Sequence, residues 1–83
     1  MAATTERKVV TAALSMLVGR TVIGVRYMLP AEAAQLGWSY RPAVLEFDDG
    51  TVVYAACDEE ANDAGVLFAE AGGSDLCLGR FAA

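Results

Sequence analysis

The sequence predicts an α+β fold, one N-terminal helix followed by about five antiparallel strands in a strongly bent sheet or a small barrel. Three observations predict it. Val10, Ala13, Leu14 and Leu17 recur at helical spacing near the N-terminus. Asp49-Gly50 joins two β-rich runs, Ala43 to Asp48 and Thr51 to Cys57. Such a pair signals a hairpin, because a type I′ turn needs positive φ at both central residues. Gly, Asn, Asp and Pro then divide the rest of the chain into short apolar segments.

Each element follows from its residues. Thr4 or Thr5 is expected to cap a helix running to about Val18, with Val9 and Met16 widening its apolar stripe. Glu6 falls in the first turn and Gly19 is placed as the stop. The polar face carries Arg7, Lys8, Thr11 and Ser15. Thr21 to Leu29 reads as a strand, with Ile23, Val25, Tyr27 and Leu29 on one face and Val22, Gly24 and Arg26 on the other. Pro30 to Leu36 suits a short helical turn, with proline at the tolerated first position and Gly37 at its end. Trp38 to Pro42 is an aromatic connector, extended before Pro42. With Asp49-Gly50 as the whole hairpin loop, Phe47 pairs with Val52 and Leu45 with Tyr54, and these four residues form the core face. Asp58 to Ala64 is an acidic loop or a single helical turn. Gly65 to Glu70 is a fourth strand, Gly72 to Asp75 a turn, and Leu76 to Phe81 a short last strand. A twisted sheet of this size tends to curl, with the helix across its open end; an open sheet with the helix on one face is the alternative.

In element order this arrangement resembles the SH3-like and Sm-like small barrels. The Phe47-Asp48-Asp49-Gly50 hairpin, with Asn62-Asp63-Ala64-Gly65 after it, resembles small uncharacterised bacterial proteins over residues 18 to 68. That resemblance implies no function.

The 83 residues make one domain, and a domain this small has a limited core. Yet the chain is 55% hydrophobic with a mean hydropathy of +0.38, above the roughly 45–50% of an ordinary soluble domain. The surplus favours a homo-oligomer or a protein partner over a monomer. Cys57 and Cys77 lie in apolar settings and read as buried free thiols. Arg7-Lys8 before an apolar run loosely mimics a signal peptide. Arg20 interrupts that run, no small-x-small cleavage site follows, and it is too short to span a bilayer, so the expected location is cytoplasmic with no membrane.

Charge is divided along the chain. Residues 1–42 carry +3 and residues 43–83 carry −8, with no Lys or Arg between Arg41 and Arg80. Such a field repels phosphate backbones and favours basic partners or cations. Arg7, Lys8, Arg20 and Arg26 offer a basic face, but a net charge of −5 argues against nucleic acid.

The inventory points away from an enzyme. There is no histidine, so Ser-His and Cys-His dyads are excluded. Two cysteines alone cannot build a tetrahedral zinc site, and no glycine-rich loop fits a phosphate. No cofactor or metal is implied. Asp58-x-Glu60-x-Asn62 alternates oxygen ligands as a calcium loop does, but Asp63 stands where the turn needs glycine and Ala69 where a bidentate glutamate belongs. The bland alternative has Asp58 capping a turn and Asn62 and Asp63 tolerating bent backbone. Trp38, Tyr40 and Arg41 form the best contact patch, since these residue types are enriched at binding hot spots. Against this, Trp38 would close the small core and Arg41 would pair with a carboxylate.

The reading is a small noncatalytic protein-interaction module that self-associates and carries an acidic face. One alternative is a small-ligand or cation-binding domain lined by Trp38, Tyr40, Arg41, Asp58, Glu60, Asn62 and Asp63. Another is an acidic mimic that occupies the groove of a basic nucleic-acid-binding protein.

Overall fold

The computed structural model describes residues 2–83. It is α+β, with helices α1 (Ala2–Met16) and α2 (Pro30–Gln35) and seven strands: β1 (Val22–Tyr27), β2 (Tyr40–Arg41), β3 (Ala43–Phe47), β4 (Val52–Tyr54), β5 (Leu67–Ala71), β6 (Ser74–Leu78) and β7 (Phe81–Ala82). All the pairings are antiparallel. They fall into three small sheets, β1-β3-β4, β2-β7 and β5-β6, and the described strands form no closed barrel.

The first helix begins earlier than its threonines suggest. Thr4 and Thr5 lie inside α1, because Ala2 and Ala3 are good helix formers and extend it N-terminally. Glu6 is therefore beyond the first turn. The helix closes with the Leu17 N–H on the Ala13 carbonyl at 2.8 Å. From Thr5 to Met16 every residue is exposed except half-buried Ala13.

Strand β1 has an irregularity between Val22 and Gly24 and then pairs regularly, Arg26 with Val44 and Tyr27 with Ala43. Its far side pairs with nothing among the described residues. Pro30 opens α2, and the Glu32 carboxylate accepts the Leu29 N–H at 2.8 Å, which satisfies one orphan donor of the helix start. The end of α2 is a Schellman motif. The Trp38 N–H reaches the Ala33 carbonyl at 2.9 Å and the Gly37 N–H reaches Ala34 at 3.0 Å. That motif needs a left-handed residue, and Gly37 supplies it at φ 74°.

The central hairpin corrects the expected register. Glu46 pairs with Val52, Leu45 with Val53 and Val44 with Tyr54. The Phe47 N–H meets the Thr51 carbonyl at 2.9 Å and the Gly50 N–H meets Phe47 at 3.0 Å. The loop is thus the three residues Asp48-Asp49-Gly50, a turn closed by Gly50 at φ 90°, the commonest solution after the two-residue loop. One extra loop residue turns β4 over. Val52 and Tyr54 share a face with Val44 and Glu46, while Leu45 and Phe47 share theirs with Val53.

The core is small. Met28, Ala33, Trp38, Val44 and Ala64 cluster together with half-buried Ala56 against them. Pro42, Ala43 and Phe47 are also buried. Two of the five central residues are alanines, so Met28, Trp38 and Val44 carry most of the transfer free energy, about 1.5–3 kcal/mol for each large side chain. The β5-β6 hairpin turns tightly through Gly72-Gly73, with Ala71 opposite Ser74. Most of its residues are exposed, Cys77 and Phe68 included. Both cysteines are free and exposed, not buried, since Cys77 lies on this uncovered hairpin and Cys57 at the mouth of the acidic loop. The last strand also divides: β6 stops at Leu78, and Phe81–Ala82 leave to pair with Tyr40–Arg41.

Candidate functional site

Two segments far apart in sequence meet at the site, the Trp38–Arg41 connector and the Asp58–Asp63 loop. Local structure explains both. The Schellman turn at Gly37 sends Trp38 into the core, where it is 5% exposed. Its ring meets Tyr54 edge-on, with centroids 5.8 Å apart. Its indole Nε1–H donates to the Ala61 carbonyl at 2.8 Å. Trp38 is thus the post on which the acidic loop is hung.

The loop is ordered by its own carboxylates. Asp58 Oδ1 accepts the N–H groups of Glu60 and Asn62, each at 3.1 Å, and Asp58 Oδ2 accepts Asn62 Nδ2 at 2.8 Å. The Asn62 side-chain hydrogen bond, followed by its backbone N–H, holds the Asp58 carboxyl below the usual aspartate range. Asp63 Oδ1 accepts from the Ala64 and Tyr40 N–H groups at 2.7 and 3.1 Å, and Oδ2 from Ser39 at 3.3 Å. These donors, Ala64 first, hold Asp63 low as well. Asp63 therefore clamps the connector to the loop. Ala61 takes a left-handed conformation, φ 56°, the backbone bend that aims its carbonyl at Trp38. Two backbone contacts close the loop neck: Cys57 N–H to Asp63 at 2.8 Å and Gly65 N–H to Ala55 at 2.7 Å.

Tyr40 lies at the surface with the Arg80 guanidinium 4.3 Å above its ring, and Arg80 also donates to the Ala64 carbonyl at 2.9 Å. Arg41 does not meet a carboxylate. Its guanidinium donates to the carbonyls of Ala82 and Met28 at 3.2 and 3.3 Å, because β7 and the end of β1 bring carbonyls closer than any acid. Asp58, Glu60 and Asn62 are exposed and Asp63 is half-buried. Among the described residues no three His, Cys, Asp or Glu side chains converge as metal ligands.

Two members of the expected basic face, Arg20 and Arg26, are neutralised by acids. Arg26 meets Glu32 through two nitrogens at 2.9 and 3.3 Å and Glu46 at 3.3 Å. Arg20 meets Asp49 at 3.4 Å. Glu32 is held below its ordinary range, first by Arg26 and then by the Leu29 N–H. These half-exposed pairs set local geometry more than stability.

Sequence reasoning missed two features. Arg80 is part of the Tyr40 surface, which only the β2-β7 pairing reveals. The place of the surplus apolar residues is the other: Ile23 is 68% and Phe68 80% exposed. Phe68 beside Leu67 gave β5 large apolar side chains on both faces, which was the available signal. No described helix is long and apolar enough to cross a membrane. No protein-family model, curated protein or solved structure matches the chain.

Proposed function

We propose that this protein is a small noncatalytic interaction module that covers its apolar surface by self-association and presents the 58–63 loop as an acidic face. The observation that carries the reading is a surplus of surface. The chain exposes 6014 Å², whereas a compact monomer of 8.7 kDa exposes about 4,700 Å². Its radius of gyration is 14.2 Å, against about 12 Å for a compact domain of this length. Large apolar side chains contribute to that surplus, among them Val10, Leu14, Ile23, Val25, Phe68 and Leu76. Their burial would supply the energy of association, and the divided charge would set orientation and on-rate. Light scattering at low and high salt tests the reading. A mass above 8.7 kDa that persists at high salt is expected. A monomer across the accessible concentration range overturns it.

A second reading, a cation or small-ligand site where the connector meets the acidic loop, has less support, because the Asp58 and Asp63 carboxylates already accept donors of the chain itself. On that reading calcium would raise the melting temperature by binding the native state. No shift across a panel of cations and small ligands counts against it.

A further inference from the structure

We propose that α1 is the self-association element, pairing antiparallel with α1 of a second copy about a two-fold axis. The proposal rests on the self-association reading and names its contact surface. Arg7, Val10, Leu14 and Leu17 follow one another at spacings of three, four and three, the seam of a helix pair. A shallow groove along this face is lined by Glu6, Arg7, Val10, Thr11 and Leu14. Val10 is 50% and Leu14 53% exposed, while Leu17, just past the helix end, is half-buried.

The seam reads the same when reversed. With two helices antiparallel and centred on Ala12, Val10 of each faces Leu14 of the other, and Arg7 faces Leu17. A two-fold interface requires this self-complementarity.

Charge selects the direction. The charged residues of α1 are Glu6, Arg7 and Lys8, and none follows before Arg20. Parallel pairing would stack Arg7 and Lys8 on their own copies. Antiparallel pairing carries both to the C-terminal end of the other helix, together with Glu6, so a net charge of one positive arrives there. No basic residue lies in the last turn of α1, and a helix C-terminus favours positive charge. The basic residues thus sit at the wrong end for their own helix and the right end for a partner's. The long Arg7 stem packs over Leu17 while its head reaches terminal carbonyls.

The area available suits a second copy as the occupant. A standard interface takes about 800 Å² from each partner. The surplus surface, about 1,300 Å², provides for one such face and falls short of two. One closed dimer draws on part of it, whereas an extended array would need two such faces on each chain. An isolated helix of this length is marginal in water, so α1 gains its helicity from the pairing.

Light scattering and circular dichroism of the full chain test this. The parent is expected at twice 8.7 kDa. Leu14→Glu is expected to reduce it to one chain with loss of helical signal, while Trp38 emission stays unchanged because Leu14 lies outside the core. Phe68→Glu, on the β5-β6 hairpin, is expected to remain dimeric. In a background lacking Cys57 and Cys77, oxidation should join a Val10→Cys chain to a Leu14→Cys chain. A dimer that survives Leu14→Glu overturns the helix pairing and leaves self-association standing. Self-linked Val10→Cys chains in place of the mixed product overturn the antiparallel order. A parent that is monomeric at every concentration overturns both the pairing and the reading beneath it.

Discussion

Alanine in place of Gly65 should unfold the chain far more readily than alanine in place of Gly24. Both glycines lack a positive φ, so neither substitution is strained by backbone conformation alone. Both gain about 0.4–1 kcal/mol from the stiffer unfolded chain. The difference lies in what a methyl group meets. At Gly65 the new Cβ would sit 2.7 Å from the Ala56 oxygen, 2.8 Å from its carbonyl carbon and 3.1 Å from the carbonyl carbon of Ala55. All three atoms are backbone, and the same neck carries the 2.7 Å hydrogen bond from Gly65 to Ala55. Relief requires the two segments to part. Overpacking of this kind costs about 1–3 kcal/mol and sometimes more. With the lost neck contact added and the unfolded-state gain subtracted, Gly65→Ala should destabilise by about 2 kcal/mol. For a domain of this size that lowers Tm by roughly 10 °C. At Gly24 the new Cβ meets only the end of the Glu46 side chain, at 2.9 Å, and Glu46 can swing away from Arg26. Gly24→Ala should stay within about 1 kcal/mol of the parent. Thermal melts followed by far-UV circular dichroism, with urea titrations read by Trp38 emission, give both values. Equal Tm values for the two variants would refute the close-approach argument.

Other perturbations address the site. Ala61→Gly should stabilise by about 0.5 kcal/mol, since relief of a left-handed alanine, about 1–2 kcal/mol, outweighs the freer unfolded chain, about 0.4–1 kcal/mol; a lower urea midpoint would contradict it. Trp38→Phe removes the hydrogen bond to Ala61 and part of the ring volume, and should cost about 2 kcal/mol by chemical denaturation. Asp58 and Asp63 are held below their ordinary range in the folded chain. Their stabilisation is complete above the unfolded aspartate value, about pH 4, and is lost as pH falls through the lower folded values. Tm measured from neutral to acid pH should drop on that limb, and Asp63→Asn should flatten it; an unchanged acid limb would show that Asp63 does not contribute.

How much of this was legible beforehand depended on how local the determinants are. α2 follows from Pro30, Glu32 and Gly37, which act within one or two turns. The hairpin was visible in Asp49-Gly50, but its register was not. Two- and three-residue loops both suit that sequence, and Tyr54 changes face with the choice. The β2-β7 pair joins residues about forty positions apart, and no local signal announces it. The burial of Trp38 is legible from its being the one tryptophan of a small domain, but its bond to Ala61 depends on a left-handed alanine, which no propensity predicts. Arg41 found carbonyls where carboxylates were expected, because β7 and the residue after β1 bring the Ala82 and Met28 carbonyls to it. The apolar excess was readable from composition, whereas its placement on α1 and the β5-β6 hairpin required the fold.

Arg26 has a bearing on whether the sheet could be extended by another chain. It lies on the open edge of β1, where the Tyr27 carbonyl points away from β3, and its guanidinium donates to that carbonyl at 3.1 Å. Glu32 and Glu46 hold the arginine there. A strand arriving from another chain would need the same carbonyl and would have to displace a cation to reach it. Native sheets commonly blunt their edges with charge in this way. The guard disfavours growth of the sheet from molecule to molecule at this edge, so the proposed pairing through a helix would not be extended there by strand addition.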